Sequence, residues 1–202
     1  PIALVTRQKL PAGTEERRLL AFSGFAAFIA FPLIFAFGQD MTSAVHGTLI
    51  FAILPVLTSL FGTIVERRRV SALWVFGCAI ALVGTVVVIL SGTHAAGDDA
   101  SLFGDLLVLA ASVVCAMGYV AGARLSQRGY GAVPTTLWGI SGASLVMLPL
   151  LAWLLVSGGL PRADAAAWGS ILTLAVLVSV LGYIGWYWAL ARGGISRIAS
   201  TQ

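Results

Sequence analysis

The residues able to do chemistry are few, and they sit inside or beside long apolar runs. His46 lies about one turn into such a run and is the one clear ionisable side chain within them. Charge is costly in lipid, so an intramembrane histidine is a candidate contact for a substrate or a proton. Packing at the membrane interface is its plainer reading. Glu66 ends the same run and is followed by Arg67, Arg68 and Arg69. A carboxylate is disfavoured at a helix C-terminus, so a structural ion pair between Glu66 and Arg67 is expected. Asp105 opens a later run, where a helix N-terminus would satisfy it, and it carries no functional expectation.

Aromatic residues form the second group. Gly182-Tyr183-Ile184-Gly185-Trp186-Tyr187-Trp188 sets four large rings on one segment. Tyr183, Trp186 and Tyr187 are three and four residues apart and share one helix face. A polar-tipped aromatic face within a span suits a cavity for an organic solute, and helix packing is the competing use. Tyr119, between Gly118 and Gly122, is a similar lining candidate, although that glycine pair reads chiefly as a close-packing motif. Pro32, Pro55 and Pro149 interrupt helices and free carbonyls; Pro55 is the expected bend. Trp138 reads as an interface anchor, and Cys78 and Cys115 as small apolar fillers.

Enzyme chemistry finds little support. Gly139-Ile140-Ser141-Gly142 matches the motif of intramembrane serine proteases, but such a nucleophile needs a histidine base on a later helix. His46 and His94 both precede Ser141. The sequence shows no metal-ligand cluster, phosphate loop or carboxylate pair, so no catalytic residue, metal or cofactor is expected.

These residues must be positioned by membrane spans. Of 202 residues, 59% are hydrophobic and about 10% charged, against roughly 25% charged in a soluble domain. Mean hydropathy is +0.98. That excludes a soluble sphere and a disordered chain. The net charge of +4 does not mark a nucleic-acid binder, because the arginines lie in short groups between apolar runs. Six runs are long enough to cross about 30 Å of hydrocarbon: 19–37, 41–65, 70–90, 106–123, 132–156 and 165–191. Backbone in lipid must satisfy itself, and the runs do not alternate as barrel strands would, so the expected fold is all-α and polytopic. Short connections make successive helices antiparallel neighbours.

Charge orients them. Eleven of the twelve basic residues fall on one side of a six-span arrangement, the exception being Arg162. The positive-inside rule makes residues 1–18, 66–70, 124–131 and 192–197 cytoplasmic and places the protein in the cytoplasmic (inner) membrane. The start at Pro1 and the stop at Gln202, just after a helix start at Ser196, read as the middle of a longer polytopic protein.

The order Thr42-Ser43-Ala44, Pro55, Glu66-Arg67, then the Gly77–Gly92 helix, resembles the EamA type of the drug/metabolite transporter superfamily. Phe103-Gly104-Asp105-Leu106-Leu107 resembles the start of that family's second half. Tyr183 to Leu190, then Gly194-Ile195-Ser196-Arg197-Ile198-Ala199, looks like its aromatic helix and the turn after it. Val65 stands where the family has glycine, and Pro32 is not a family feature. The resemblance implies ten helices in two inverted five-helix repeats. Residues 1–92 would be the later part of the first repeat, and 101–202 the earlier part of the second. It also implies alternating-access movement of a small organic solute, such as an amino acid, metabolite or drug, with efflux favoured. The lining residues would be His46, Tyr119, Tyr183, Trp186 and Tyr187. The partners would then be the solute and the bilayer, with a homodimer compatible and no nucleic acid. A non-transporting membrane subunit packing through small-residue faces is the alternative.

Overall fold

A computed structural model describes residues 8–69, 71–92, 101–158 and 164–199. Expectations placed on Pro1–Val5, His94, Asp98, Asp99, Arg162 and the final Ser200–Gln202 lie outside the described residues. Helices account for the secondary structure throughout the described residues, and six are long and apolar enough to cross a membrane. They are α1 (Thr14–Asp40), α2 (Ala44–Glu66), α3 (Ala72–Gly92), α4 (Leu102–Tyr130), α5 (Ala132–Gly158) and α6 (Ala165–Gly193). A short α7 (Ile195–Ala199) follows. The chain is therefore an all-α, multi-pass membrane protein.

The helices begin where side chains can accept from otherwise unbonded first-turn N–H groups. Ser43 Oγ accepts from His46 N, Ser101 Oγ from Gly104 N, and Asp164 Oδ1 from Ala167 N at 2.8 Å. α1 and α4 run several residues past the apolar stretches that mark them in the sequence, because their charged ends continue the helix beyond the hydrocarbon. Pro32 is absorbed without a break: the turn Ala26–Ala30 before it widens to i→i+5 bonding, which accommodates the missing donor. Pro55 does interrupt its helix. α2 consists of Ala44–Phe51 and Leu54–Glu66, separated by Ala52 and Ile53, with Pro55 in the first turn of the second piece.

α4 is central, touching each of the other five spans. Lipid tails are as apolar as leucine, so helix association here rests on close packing rather than hydrophobic transfer. Small residues supply it. A Cβ on Gly118 would lie 3.1 Å from Ala26 Cβ and from Ala27 N, which brings α4 hard against α1. Gly24 and Gly139 meet in the same way between α1 and α5, so the Gly-Ile-Ser-Gly segment is a helix contact with Ser141 buried in it. Leu145, Val146, Leu151 and Trp153 on α5 are exposed, as are Leu172, Leu174 and Val178 on α6, which gives these spans lipid-facing surfaces.

The two ends of the bundle differ in charge. At one end Arg128 Nη2 meets Glu15 Oε1 at 2.7 Å, Tyr130 Oη donates to Lys9 O, and Trp138 Nε1 donates to Gln8 O. Glu66, Gln127 and Ile195 join there too. At the far end Ser101 N and Oγ both donate to Met41 O, tying α4 to the α1–α2 turn.

Candidate functional site

Two polar assemblies lie on α4, toward opposite ends. The first is at the far end. Asp105, in the first turns of α4, is only 1% exposed. One carboxylate oxygen accepts from Thr42 Oγ1, and the other lies 3.3 Å from His46 Nδ1. Thr42 precedes α2 and His46 sits in its first turn, both buried. Gly104 makes the arrangement fit, since a Cβ there would press on the Met41 backbone at 2.6 Å. Beside it, Gln39 of α1 occupies the space a side chain on Gly47 would need, and its Oε1 is buried with no hydrogen-bond partner among the described residues.

The second assembly lies toward the arginine-rich end. Tyr119 of α4 packs edge-on to Tyr183, Trp186 and Tyr187 of α6, with centroids 5.7, 5.8 and 6.5 Å away. Phe28 of α1 adds a tilted contact to Tyr183 at 4.6 Å. Tyr187 is fully buried; its hydroxyl lies 3.0 Å from Ser23 Oγ, which in turn donates to Gly118 O. Gly122 creates the slot, because a Cβ there would sit 2.5 Å from the Tyr187 ring and 2.7 Å from Ser23 Oγ. Trp186 Nε1 is buried and lacks a hydrogen-bond partner among the described residues. The shared face expected from the three- and four-residue spacing thus brings these rings together with Tyr119. It does not bring them to His46. Fourteen residues of α4 separate Asp105 from Tyr119, about 21 Å of helix at 1.5 Å per residue.

Two clefts are lined by other residues. A cleft of about 270 Å³ next to the α2 break is lined by Pro55, Val56, Ser59, Trp74, Gly77 and Cys78. Trp74 Nε1 donates to Ser59 Oγ, and Ser59 Oγ donates to Ser196 O, joining α3, α2 and α7. An apolar groove of about 430 Å³ also runs between α1 and α5, with Leu20, Phe25 and Trp138 along it.

The expected ion pair needs correction. Glu66 pairs with Arg68, its Oε2 lying 3.4 Å from Arg68 Nε, rather than with Arg67. Arg67 is the C-cap residue with φ 49°, a left-handed turn that carries its side chain away while Arg68 folds back. Glu66 has further partners. Its Oε1 accepts from Ile195 N at 2.7 Å and from Gln127 Nε2, and its Oε2 accepts from Ser196 Oγ. The carboxylate therefore holds the first N–H of α7, which offsets its unfavourable place at the end of α2.

Sequence reasoning missed Asp105, Thr42 and Ser23. A signal existed for one of them: Thr42 stands just before the Ser43 helix start, at the same helix end as His46. Asp105 is 59 residues from His46, and nothing local announces their pairing.

Comparison with known proteins completes the description. The profile of the EamA-like transporter family matches residues 1–90 and 102–202. The uncharacterized transporter YdeK of Bacillus subtilis is 30% identical over 209 residues, covering 100% of this chain and 68% of that protein. The uncharacterized transporter YyaM of the same organism is 30% identical over 176 residues, or 86% of this chain and 57% of that protein. A probable terminal-alkyne amino-acid exporter of Streptantibioticus cattleyicolor is 27% identical over 187 residues, 90% and 61% respectively. The chain thus spans between 57% and 68% of the length of these relatives. No solved structure matches it.

Proposed function

We propose, from the premise that this chain belongs to the EamA-like transporter family, that its protein exports a small organic solute across the cytoplasmic membrane by alternating access. The family match over both halves of the chain carries this reading. Amino acids and related metabolites are the favoured class, in keeping with the exporter among the relatives. The arginine-rich end, with Arg17, Arg68, Arg124, Arg128 and Arg192, faces the cytoplasm. Residues 1–92 and 101–202 contribute to two inverted repeats, and the boundary between the two matched segments supports that division.

Tyr119, Tyr183, Trp186 and Tyr187 contact the solute on its path. The hydroxyls of Tyr119 and Tyr183, and Trp186 Nε1, offer polar groups on an apolar surface where three helices meet, with Tyr187 bracing them from below through Ser23. An apolar wall with a few convergent polar groups is the usual make-up of a small-molecule site. The cleft at the Pro55 break supplies space for the solute, and the break supplies the bend. His46, expected in the same lining, serves the solute only at the far mouth of the path.

The test is transport by the full-length protein in proteoliposomes. Preloaded radiolabelled amino acids and toxic analogues are screened for protein-dependent efflux, alongside resistance of an overexpressing host. At least one solute is expected to leave faster than from protein-free vesicles, and Trp186→Phe is expected to lower its rate severalfold. A protein that moves no solute in either assay, yet purifies in stable association with another membrane protein, sinks the transporter reading in favour of an assembly subunit.

A further inference from the structure

The far-end assembly is a buried carboxylate, a histidine ring and a threonine hydroxyl brought from three separate chain segments. We propose that Asp105 and His46 together form a proton-binding site whose protonation state clamps or frees the Ala44–Phe51 segment of α2.

Three observations carry this. First, Asp105 is inside the bundle, where a lone ionised carboxylate is too costly to persist. Thr42 donates one hydrogen bond to it, and the second oxygen faces His46 Nδ1. With one proton on the pair, the ring N–H donates to the carboxylate and the contact is closed. With two protons, the carboxyl is neutral and no longer offers the imidazolium a counter-charge. With none, a neutral imidazole can still donate from Nδ1, but without its positive charge. The contact is therefore tightest in the middle state, where both partners are charged. Second, the histidine rides on a short helical piece cut off from the rest of α2 at Ala52–Ile53, so releasing it does not require moving Leu54–Glu66. Third, the piece is packed on α1 by a glycine, Gly47, against Gln39, whose Oε1 stands unsatisfied beside it. Motion of the segment would give that oxygen access to water.

The charged surroundings are sparse. From α1, Asp40 is the nearest acid in the chain to this turn, and it is exposed. From α4 comes Asp105 itself. The described end of α3, which packs on this piece of α2, brings Val88, Ile89 and Leu90 and no charge. Asp164, before α6, is exposed. Among the described residues, then, the pair is the buried titratable unit at this end.

The inference rests on the transporter reading for its meaning, but its test needs no solute. Full-length protein in lipid vesicles is titrated between pH 4 and pH 9, on the order of the range His and Asp span, while the carboxyl C=O stretch is followed by infrared difference spectroscopy. Spin labels at Val45→Cys and Leu102→Cys, with Cys78 and Cys115 replaced by alanine, report the separation of α2 and α4. A titrating carboxyl band is expected that disappears in Asp105→Asn. In His46→Gln the band is expected to move by about one pH unit or more. The label separation is expected to change with pH in the otherwise unmodified protein and to become pH-independent in both variants. If Asp105→Asn does not fold, the His46→Gln shift alone decides. A band that persists in Asp105→Asn, an unshifted band in His46→Gln, or a label separation that ignores pH overturns the proposal. Each of those failures would leave solute transport standing, and a failed transport screen would leave the proton site standing.

Discussion

The two assemblies on α4 are built from opposite materials. At the far end a carboxylate, an imidazole and a hydroxyl are held by hydrogen bonds in a nearly solvent-free position. Toward the arginine-rich end, four rings are held by shape, with glycines cut to admit them and the Tyr187–Ser23 hydroxyl pair at the base. The first tolerates little change in charge, and the second little change in volume. A carrier of neutral or zwitterionic organic solutes needs a surface of the second kind, and a switch needs one of the first.

That contrast can be broken by substitution. The largest effect is expected from Asp105→Leu, which leaves Thr42 and His46 facing an apolar side chain: about 3 kcal/mol of lost stability, the lower end for breaking a buried pair. Thermal unfolding of the purified full-length protein in detergent measures it. Gly122→Val should cost about 2 kcal/mol through overpacking on Tyr187, with the loss appearing as reduced yield and lowered melting temperature. Tyr187→Phe keeps the volume and deletes the bond to Ser23. About 1 kcal/mol is expected, a value that a denaturation series with Ser23→Ala as partner would isolate. The smallest effect sharpens the comparison. Asp105→Leu and Tyr187→Phe combined should add, with a coupling under about 0.5 kcal/mol, because the sites are some 21 Å apart along α4 and share no partner. A larger coupling in a double-mutant cycle would mean that the two regions are one device.

Much of the architecture is legible in the amino-acid sequence. Six apolar runs and the placement of Arg67–Arg69, Arg124 and Arg128 announce six alternating spans, because lipid leaves the backbone few options. The spacing of Tyr183, Trp186 and Tyr187 announces a shared face, because helical periodicity is local. What could not be read is nonlocal. Asp105 looks satisfied by its own helix, and only the fold brings it to a histidine 59 positions away. Glu66 looks like the partner of its neighbour Arg67, but the left-handed cap hands the contact to Arg68 and the start of α7. Prolines divide the same way: Pro55 breaks its helix, whereas Pro32 is accommodated by a wide turn upstream, and the residue type alone does not distinguish them.

Wide turns also occupy Leu174–Gly182 of α6, immediately before the aromatic face begins at Tyr183. Each such turn stores a surplus residue compared with regular α geometry. The helix thereby carries slack in its own ladder. Sliding that surplus one turn toward Arg192 would roll the tyrosines about 100° around the axis, the rotation one residue contributes. The rings could thus swing toward or away from α4 without a loop lengthening or the span leaving the lipid.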